Sequence, residues 1–187
     1  MPLEIEAKYR LRDVQALRRR LAELGAEPLG AVTEDNTFYD TAGGDLARGH
    51  CGLRIRVLSG PGAGRAIMTY KGPRRPGPLK TRQEEQMPLD DPEAAQRILS
   101  SLGYRPTLHF QKRRESYRLG PARVELDELP ELGFFTEIEA DDEAAVYEAA
   151  RRLGLADDDM VSHAYTHLIA KHLGRRGGGM ELLFAES

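Results

Sequence analysis

The chain has 187 residues, 40% hydrophobic and 30% charged, with 27 Lys and Arg against 30 Asp and Glu for a net charge of −3. That length supports one substantial domain, and that balance argues against a general nucleic-acid coat or a polybasic membrane binder. A single cysteine, Cys51, excludes an intramolecular disulfide and a multi-cysteine zinc site, which suits a reducing compartment such as the cytoplasm.

Taken in order, Leu3 to Tyr9 alternates strictly and predicts a strand. No run of eighteen apolar residues occurs and the N-terminus turns charged by Glu4, so neither a transmembrane helix nor a signal peptide is expected. A helix follows from Asp13 through Val14, Leu17, Leu21 and Leu24 to Gly25. Alternation returns at Leu53 to Val57, Ala66 to Lys71 and Thr81 to Pro88. The glycine-rich segment Gly60 to Gly64 reads as a hairpin turn between the first two. Residues 72–80, GPRRPGPLK, read as a basic loop. Asp91 caps the next helix, with Pro92 at its first position and Gly103 at its end. Strands at Phe110 to Arg118, Ala122 to Leu126 and Phe135 to Ala140 come next. A helix capped by Asp141 or Asp142 and ending at Gly154 follows, and then one capped by Ser162 that carries Tyr165, Leu168, Ile169 and Leu173. The domain is expected over 1–174, with 175–187 as a flexible tail.

A short repeat is visible. Glu4-Ile5-Glu6-Ala7 returns as Glu137-Ile138-Glu139-Ala140, each leading into an Asp-capped helix that ends in Leu-Gly, and Glu84 to Gly103 follows the same plan loosely. Two similar lobes around one shared sheet are the expectation.

Alternate residues of a strand share a face. One face collects Glu4, Glu6 and Lys8; Arg54 and Arg56; Lys71; Arg82, Glu84 and Gln86; Lys112 and Arg114; Glu125 and Asp127; Glu137 and Glu139. A solvated sheet face normally mixes in Thr, Ser and Gln, and like charges spaced two apart repel unless something neutralises them. An α+β fold whose antiparallel sheet closes into a barrel, with helices on its apolar outside, would line a channel with these charges. Lys8, Arg54, Arg56, Lys71, Arg82, Lys112 and Arg114 suit a row of phosphates. Glu4, Glu6, Glu125, Asp127, Glu137 and Glu139 offer hard oxygen ligands for Mg²⁺ or Mn²⁺. The two sets agree only with a polyphosphate and a divalent ion together.

These residues resemble the CYTH superfamily of triphosphate tunnel metalloenzymes. The Glu-x-Glu-x-Lys signature stands at Glu4 to Lys8, followed in family order by NTFYDT at Asn36 to Thr41, LRIR at Leu53 to Arg56, TYKGP at Thr69 to Pro73, KxR at Lys112 to Arg114 and LGFFTEIE at Leu132 to Glu139. The last element is most similar to the class IV adenylyl cyclase branch. The resemblance implies a closed triphosphate tunnel, ATP or another triphosphate as substrate, Mg²⁺ or Mn²⁺ as cofactor, and Lys8, Lys71, Arg56 and Arg114 as catalytic residues. It implies conversion of ATP to cyclic AMP and pyrophosphate, with triphosphatase activity or plain polyphosphate binding as alternatives. A homodimer is allowed; nucleic acid and membrane partners are not expected. The chain departs from the family pattern at Asn36, Phe38 and Gln86, so metal binding is expected to rest on Glu4 and Glu6 with Glu137 and Glu139.

Other signals are weaker. His163 and His167 lie four apart but lack a partner Glu, so a solvated helix face is expected. Cys51 has no activating base in view and reads as structural. Arg74, Arg75 and Lys80 read as a solvated loop or a lid at the channel entrance.

Overall fold

The computed structural model describes residues 3–60, 64–77 and 79–185, and the side chains of Leu3 and Glu4 also fall outside the described set. Pro61, Gly62 and Ala63 of the expected hairpin turn and Pro78 of the basic loop therefore lie outside the described residues. Flanking the turn, β3 (Gly52–Ser59) and β4 (Ala66–Lys71) do pair antiparallel, with Val57 opposite Ala66.

Eight antiparallel strands close a barrel. Around it run β2 (Glu27–Thr41), β3, β4, β5 (Lys80–Leu89), β1 (Leu3–Leu11), β8 (Gly133–Ala140), β7 (Ala122–Leu129) and β6 (Tyr104–Leu119). Pairing of β6 back onto β2, from Glu27 opposite Arg118 to Thr41 opposite Tyr104, makes the seam. The closing strand β2 is absent from the sequence reading, and its composition explains why. Pro28 and Gly30 stand at its start, where Gly30 sits at a bulge with φ +121°. Thr33, Asp35 and Thr37 alternate with Glu34 and Asn36, so neither face is apolar. Its outer side meets polar neighbours: Gln111 donates to Asp35 at 3.2 Å, and His109 Nε2 lies 2.8 Å from the same carboxylate.

Helices α1, α3 and α4 cover the outside of the barrel, and α5 packs at one end of its interior. α1 (Val14–Glu23) and α4 (Glu143–Leu153) bury Leu17, Leu21, Val146 and Leu153 against Ile5, Ala7, Val124 and Ile138. α3 (Pro92–Ser101) seats Ala95 and Leu99 on Tyr39 and Ile55. α5 (Tyr165–Arg175) seats Tyr165, Ile169 and Leu173 on Leu108, Phe110 and Phe135. The remaining helix, α2 (Asp45–Arg48), is one turn long. The clusters under α1 with α4 and under α3 form outside the sheet, whereas the one under α5 sits at one end of the barrel interior, where Leu108 and Phe110 share the inward face of β6 with Lys112 and Arg114; the rest of the inner face is left to charge. Asp13, Asp91 and Asp142 each accept the amide of the third residue beyond them, at 2.9, 2.7 and 2.8 Å, which contributes about 1 kcal/mol per cap.

Two expectations at the C-terminal end are corrected. Ser162 does not cap α5; the helix starts after Ala164 without a side-chain cap, and the Ser162 carbonyl accepts from Arg74 at 3.2 Å. The segment expected as a tail carries β9 (Glu181–Leu182), which pairs parallel with β6 at His109 and Phe110 and buries Leu182 among the α5 contacts. The repeated motifs prove to be neighbours: β1 and β8 pair with Glu6 opposite Glu139 and Lys8 opposite Glu137. Among the described residues no helix is long and apolar enough to cross a membrane.

Candidate functional site

The barrel encloses a cavity of about 1070 Å³. Of the predicted residues, Glu6, Lys8, Arg54, Arg56, Lys71, Arg82, Lys112, Arg114, Glu125, Glu137 and Glu139 line it. Strand alternation places them on one face, opposite apolar neighbours such as Ile55 and Ile138 where a helix covers the sheet and opposite polar ones such as Gln83 and Gln111 elsewhere. Glu4 pairs in register with Arg82, and its side chain lies outside the described residues. Asp127 does not line the cavity and is fully buried.

At the centre lies a self-neutralising network. Arg114 grips Asp127 with two parallel bonds, Nε to Oδ1 at 2.7 Å and Nη2 to Oδ2 at 2.6 Å, and reaches Glu137 at 2.5 Å. Lys112 lies 3.2 Å from Asp127 and 3.3 Å from Glu34, and Lys8 lies 3.1 Å from Glu137. Arg56 Nη1 donates to Glu34 at 2.9 Å. Burial pushes Glu34 and Glu137 upward, but Lys112, Arg114 and Arg56 on the first and Lys8 and Arg114 on the second outweigh it, holding both well below the carboxylate range. Burial works against the Arg114 cation too, and Asp127 with Glu34 overcomes it, leaving the guanidinium more firmly protonated than usual.

Glu34 was missed because β2 was missed. Its position two residues before Asn36, on the same face as Asn36 and Phe38, is the signal that alternation along that strand would have supplied. Asp127 was expected as a metal ligand, yet its oxygens receive Arg114, Lys112 and the Tyr165 hydroxyl, the last at 2.8 Å. Glu125 is similarly engaged, accepting from Ser116 at 2.5 Å and from Arg123.

The strand β3 differs. Arg54 donates weakly to Asn36 at 3.3 Å and Thr69 at 3.5 Å, and the buried Nε groups of Arg54 and Arg56 have no hydrogen-bond partner among the described residues. Burial, with Arg56 nearby, pushes Arg54 down to about 10. Arg56 has Glu34, whereas the hydrogen-bond partners of Arg54 among the described residues are neutral, so an added anion would satisfy its buried charge.

Across the cavity the sign reverses. Glu6 and Glu139 face each other on β1 and β8, Glu6 half-buried and Glu139 exposed at the cavity wall. Burial, then the Glu6 charge, raise its carboxyl above the ordinary value. Lys80, expected in the basic loop, is instead the first residue of β5. It is buried and lies 3.0 Å from Glu6, and burial lowers its ammonium to about 8. Lys71 lies 2.7 Å from Glu84. Among the described residues no three His, Cys, Asp or Glu side chains converge on one point. Two opposed carboxylates nevertheless fit Mg²⁺, which keeps its waters and takes one or two carboxylates together with substrate phosphates.

One part of the cavity wall is aromatic. Phe38 stacks on Phe110 at 6.0 Å between centroids, and the Arg54 guanidinium lies 5.9 Å from the Phe38 ring. Nearby, Asp40 of the NTFYDT segment is at the cavity wall and accepts three backbone amides, from Thr41, Leu46 and Ala47 at 2.7 to 2.9 Å, tying α2 to β2. Cys51 receives the Tyr70 hydroxyl at 3.3 Å. His163 and His167 stack on each other at 4.3 Å.

Comparison with known proteins agrees with this geometry. The model of the CYTH domain matches residues 2–165. Adenylate cyclase CyaB of Aeromonas hydrophila is 34% identical over 183 residues, spanning 91% of this chain and 90% of its own. A Vibrio parahaemolyticus protein named as an adenylate cyclase superposes with a TM-score of 0.79 at 24% identity, covering 90% of this chain and 98% of its own. A Hippeastrum protein named as an adenylyl cyclase, and described as having a dominant triphosphatase activity, superposes with a TM-score of 0.68 at 18% identity over 96% and 97%. The last two bear on the fold.

Proposed function

The chain belongs to the CYTH domain family, and from that premise we propose that it converts ATP to cyclic AMP and pyrophosphate. The carrying observation is the enclosed pair Arg54 and Arg56, with unpartnered donors, facing the Glu6 and Glu139 carboxylates across one cavity. A triphosphate satisfies the first group and a divalent ion the second. The aromatic wall at Phe38 and Phe110, beside Arg54, favours a nucleoside triphosphate over an inorganic chain.

Arg54, Arg56, Arg82 and Lys71 would hold the phosphates, with Lys8, Lys112 and Arg114 preset by the central network. Glu6 and Glu139, with Glu4 beside them in the signature, would hold Mg²⁺ or Mn²⁺. When bound, that ion supplies charge neutralisation and polarisation at the phosphates. The ribose 3′ oxygen attacks the α-phosphorus in line, the bond to the β-phosphate oxygen breaks, pyrophosphate leaves and the hydroxyl proton passes to solvent. The relationship to the Hippeastrum protein, together with the dense charge of Lys8, Lys112, Arg114 and Glu137 along the cavity, favours a second reading in which water attacks the terminal phosphate. Incubation with ATP and with tripolyphosphate under Mg²⁺ and Mn²⁺, with chromatographic product analysis, separates them. Cyclic AMP with pyrophosphate is the expected outcome. Orthophosphate from both substrates would favour the second reading, and no turnover of either would overturn both.

A further inference from the structure

The first residue of α5 departs from the pattern of its helix. Ile169 and Leu173, one and two turns on, are aliphatic and belong to the apolar cluster. Tyr165 also packs there, edge-on to Phe135 at 5.4 Å, but it turns its ring face and its hydroxyl toward the cavity's charges. The Lys8 ammonium stands 3.4 Å from the Tyr165 ring centroid and that of Lys112 stands 5.3 Å away. The hydroxyl donates to Asp127 at 2.8 Å, the same carboxylate that receives Arg114 and Lys112.

Lys8 can donate three protons. One points to Glu137 at 3.1 Å and one to the His163 carbonyl at 3.5 Å, on the residue two before Tyr165. The ring face fills the remaining side of the buried ammonium without consuming a proton, since a cation is attracted to the π face without a hydrogen bond. One N–H is thereby left for the cavity that Lys8 lines. A third oxygen acceptor in place of the ring would have engaged it.

We infer that Tyr165 is a positioning residue, holding Lys8 and Lys112 by its ring so that α5 docking and triphosphate binding are one event. This rests on the reading of the cavity as a triphosphate site. The test is isothermal titration of inorganic tripolyphosphate into the wild type, Tyr165→Leu, Tyr165→Phe and Ile169→Ala, each with its melting temperature. Tyr165→Leu keeps apolar bulk and removes the ring, and should weaken binding about tenfold. Tyr165→Phe should restore the affinity to within about threefold, because the ring face remains. Ile169→Ala should lower the melting temperature yet leave the affinity within about threefold, since it loosens the helix without touching a cation. Equal losses in Tyr165→Leu and Ile169→Ala, or unchanged affinity in Tyr165→Leu, would overturn the inference. So would a Tyr165→Phe variant as weak as Tyr165→Leu. Should Tyr165→Leu not fold, Tyr165→Met carries the same expectation. A wild type that does not bind tripolyphosphate would overturn the triphosphate reading itself, a result distinct from any ranking of the variants.

Discussion

The central network and the two flanking groups of the tunnel use the same residue types to opposite effect. Around Asp127, each cation meets a carboxylate: Glu34 and Glu137 are held low and Arg114 high, so the charged forms favour one another. At Arg54, burial and a like neighbour lower the guanidinium to about 10. At Glu139, burial and the Glu6 charge raise the carboxyl. Paired charge inside a fold is framework, whereas buried charge set against its own kind raises the free energy of the empty protein and is relieved by a ligand. With a cationic group on β3 and an anionic group on β1 and β8, the relieving ligand carries both signs, as a metal–triphosphate complex does.

The largest expected effect breaks the framework. Asp127→Asn leaves Arg114 and Lys112 buried with one partner fewer, and removal of one member of such a buried group costs about 3 to 5 kcal/mol of stability, measurable by urea denaturation. Arg54→Met should behave oppositely. The fold should be as stable as the wild type or more so, while tripolyphosphate binding weakens about a hundredfold through loss of a buried guanidinium contact, read by calorimetry. Third in size, Glu139→Gln removes a like-charge pair. The metal-free protein should melt about 1 to 3 °C higher and lose its response to Mg²⁺. Smallest is a control outside the tunnel. His109 lies between Asp35 and Glu181, and although burial lowers its pKa, the bonds to both carboxylates outweigh it and raise it. A raised folded value means that this contribution is complete below the ordinary histidine value of about 6.5 and fades as pH rises through the folded one. Relative to His109→Gln, the wild type should lose about 1 to 2 °C of melting temperature over that window.

Much of the barrel was legible because its helices enforce alternation. Wherever an outer apolar face meets a helix, as at Ile55 under α3 or Ile138 under α4, a period of two is visible and the inward residues follow from it. The strand β2 was illegible for the converse reason: its outer face meets His109 and Gln111, so no apolar period exists, and Glu34 was lost with it. Lys80 looked like loop because Gly and Pro precede it, though burial against Glu6 makes it part of the tunnel. The short strand at Glu181 and Leu182 rests on one buried leucine and a parallel partner far away in sequence, which no local pattern announces. That Asp127 is occupied by Arg114, Lys112 and Tyr165, whereas Glu139 is strained against Glu6, depends on register across strands and could be read only from the fold.

The most direct test is the melting temperature with and without tripolyphosphate and Mg²⁺, at about a hundred times the dissociation constant, for the wild type, Arg54→Met and Glu139→Gln. Ligand at that level contributes ~2.7 kcal/mol, so the wild type should melt about 5 to 10 °C higher when liganded. At the same ligand concentration both variants should start as stable as the wild type or more so, and gain far less. A wild type that gains nothing, or variants that start lower and gain as much as the wild type, would contradict the division of this tunnel into a paired framework and binding charges set against their own kind.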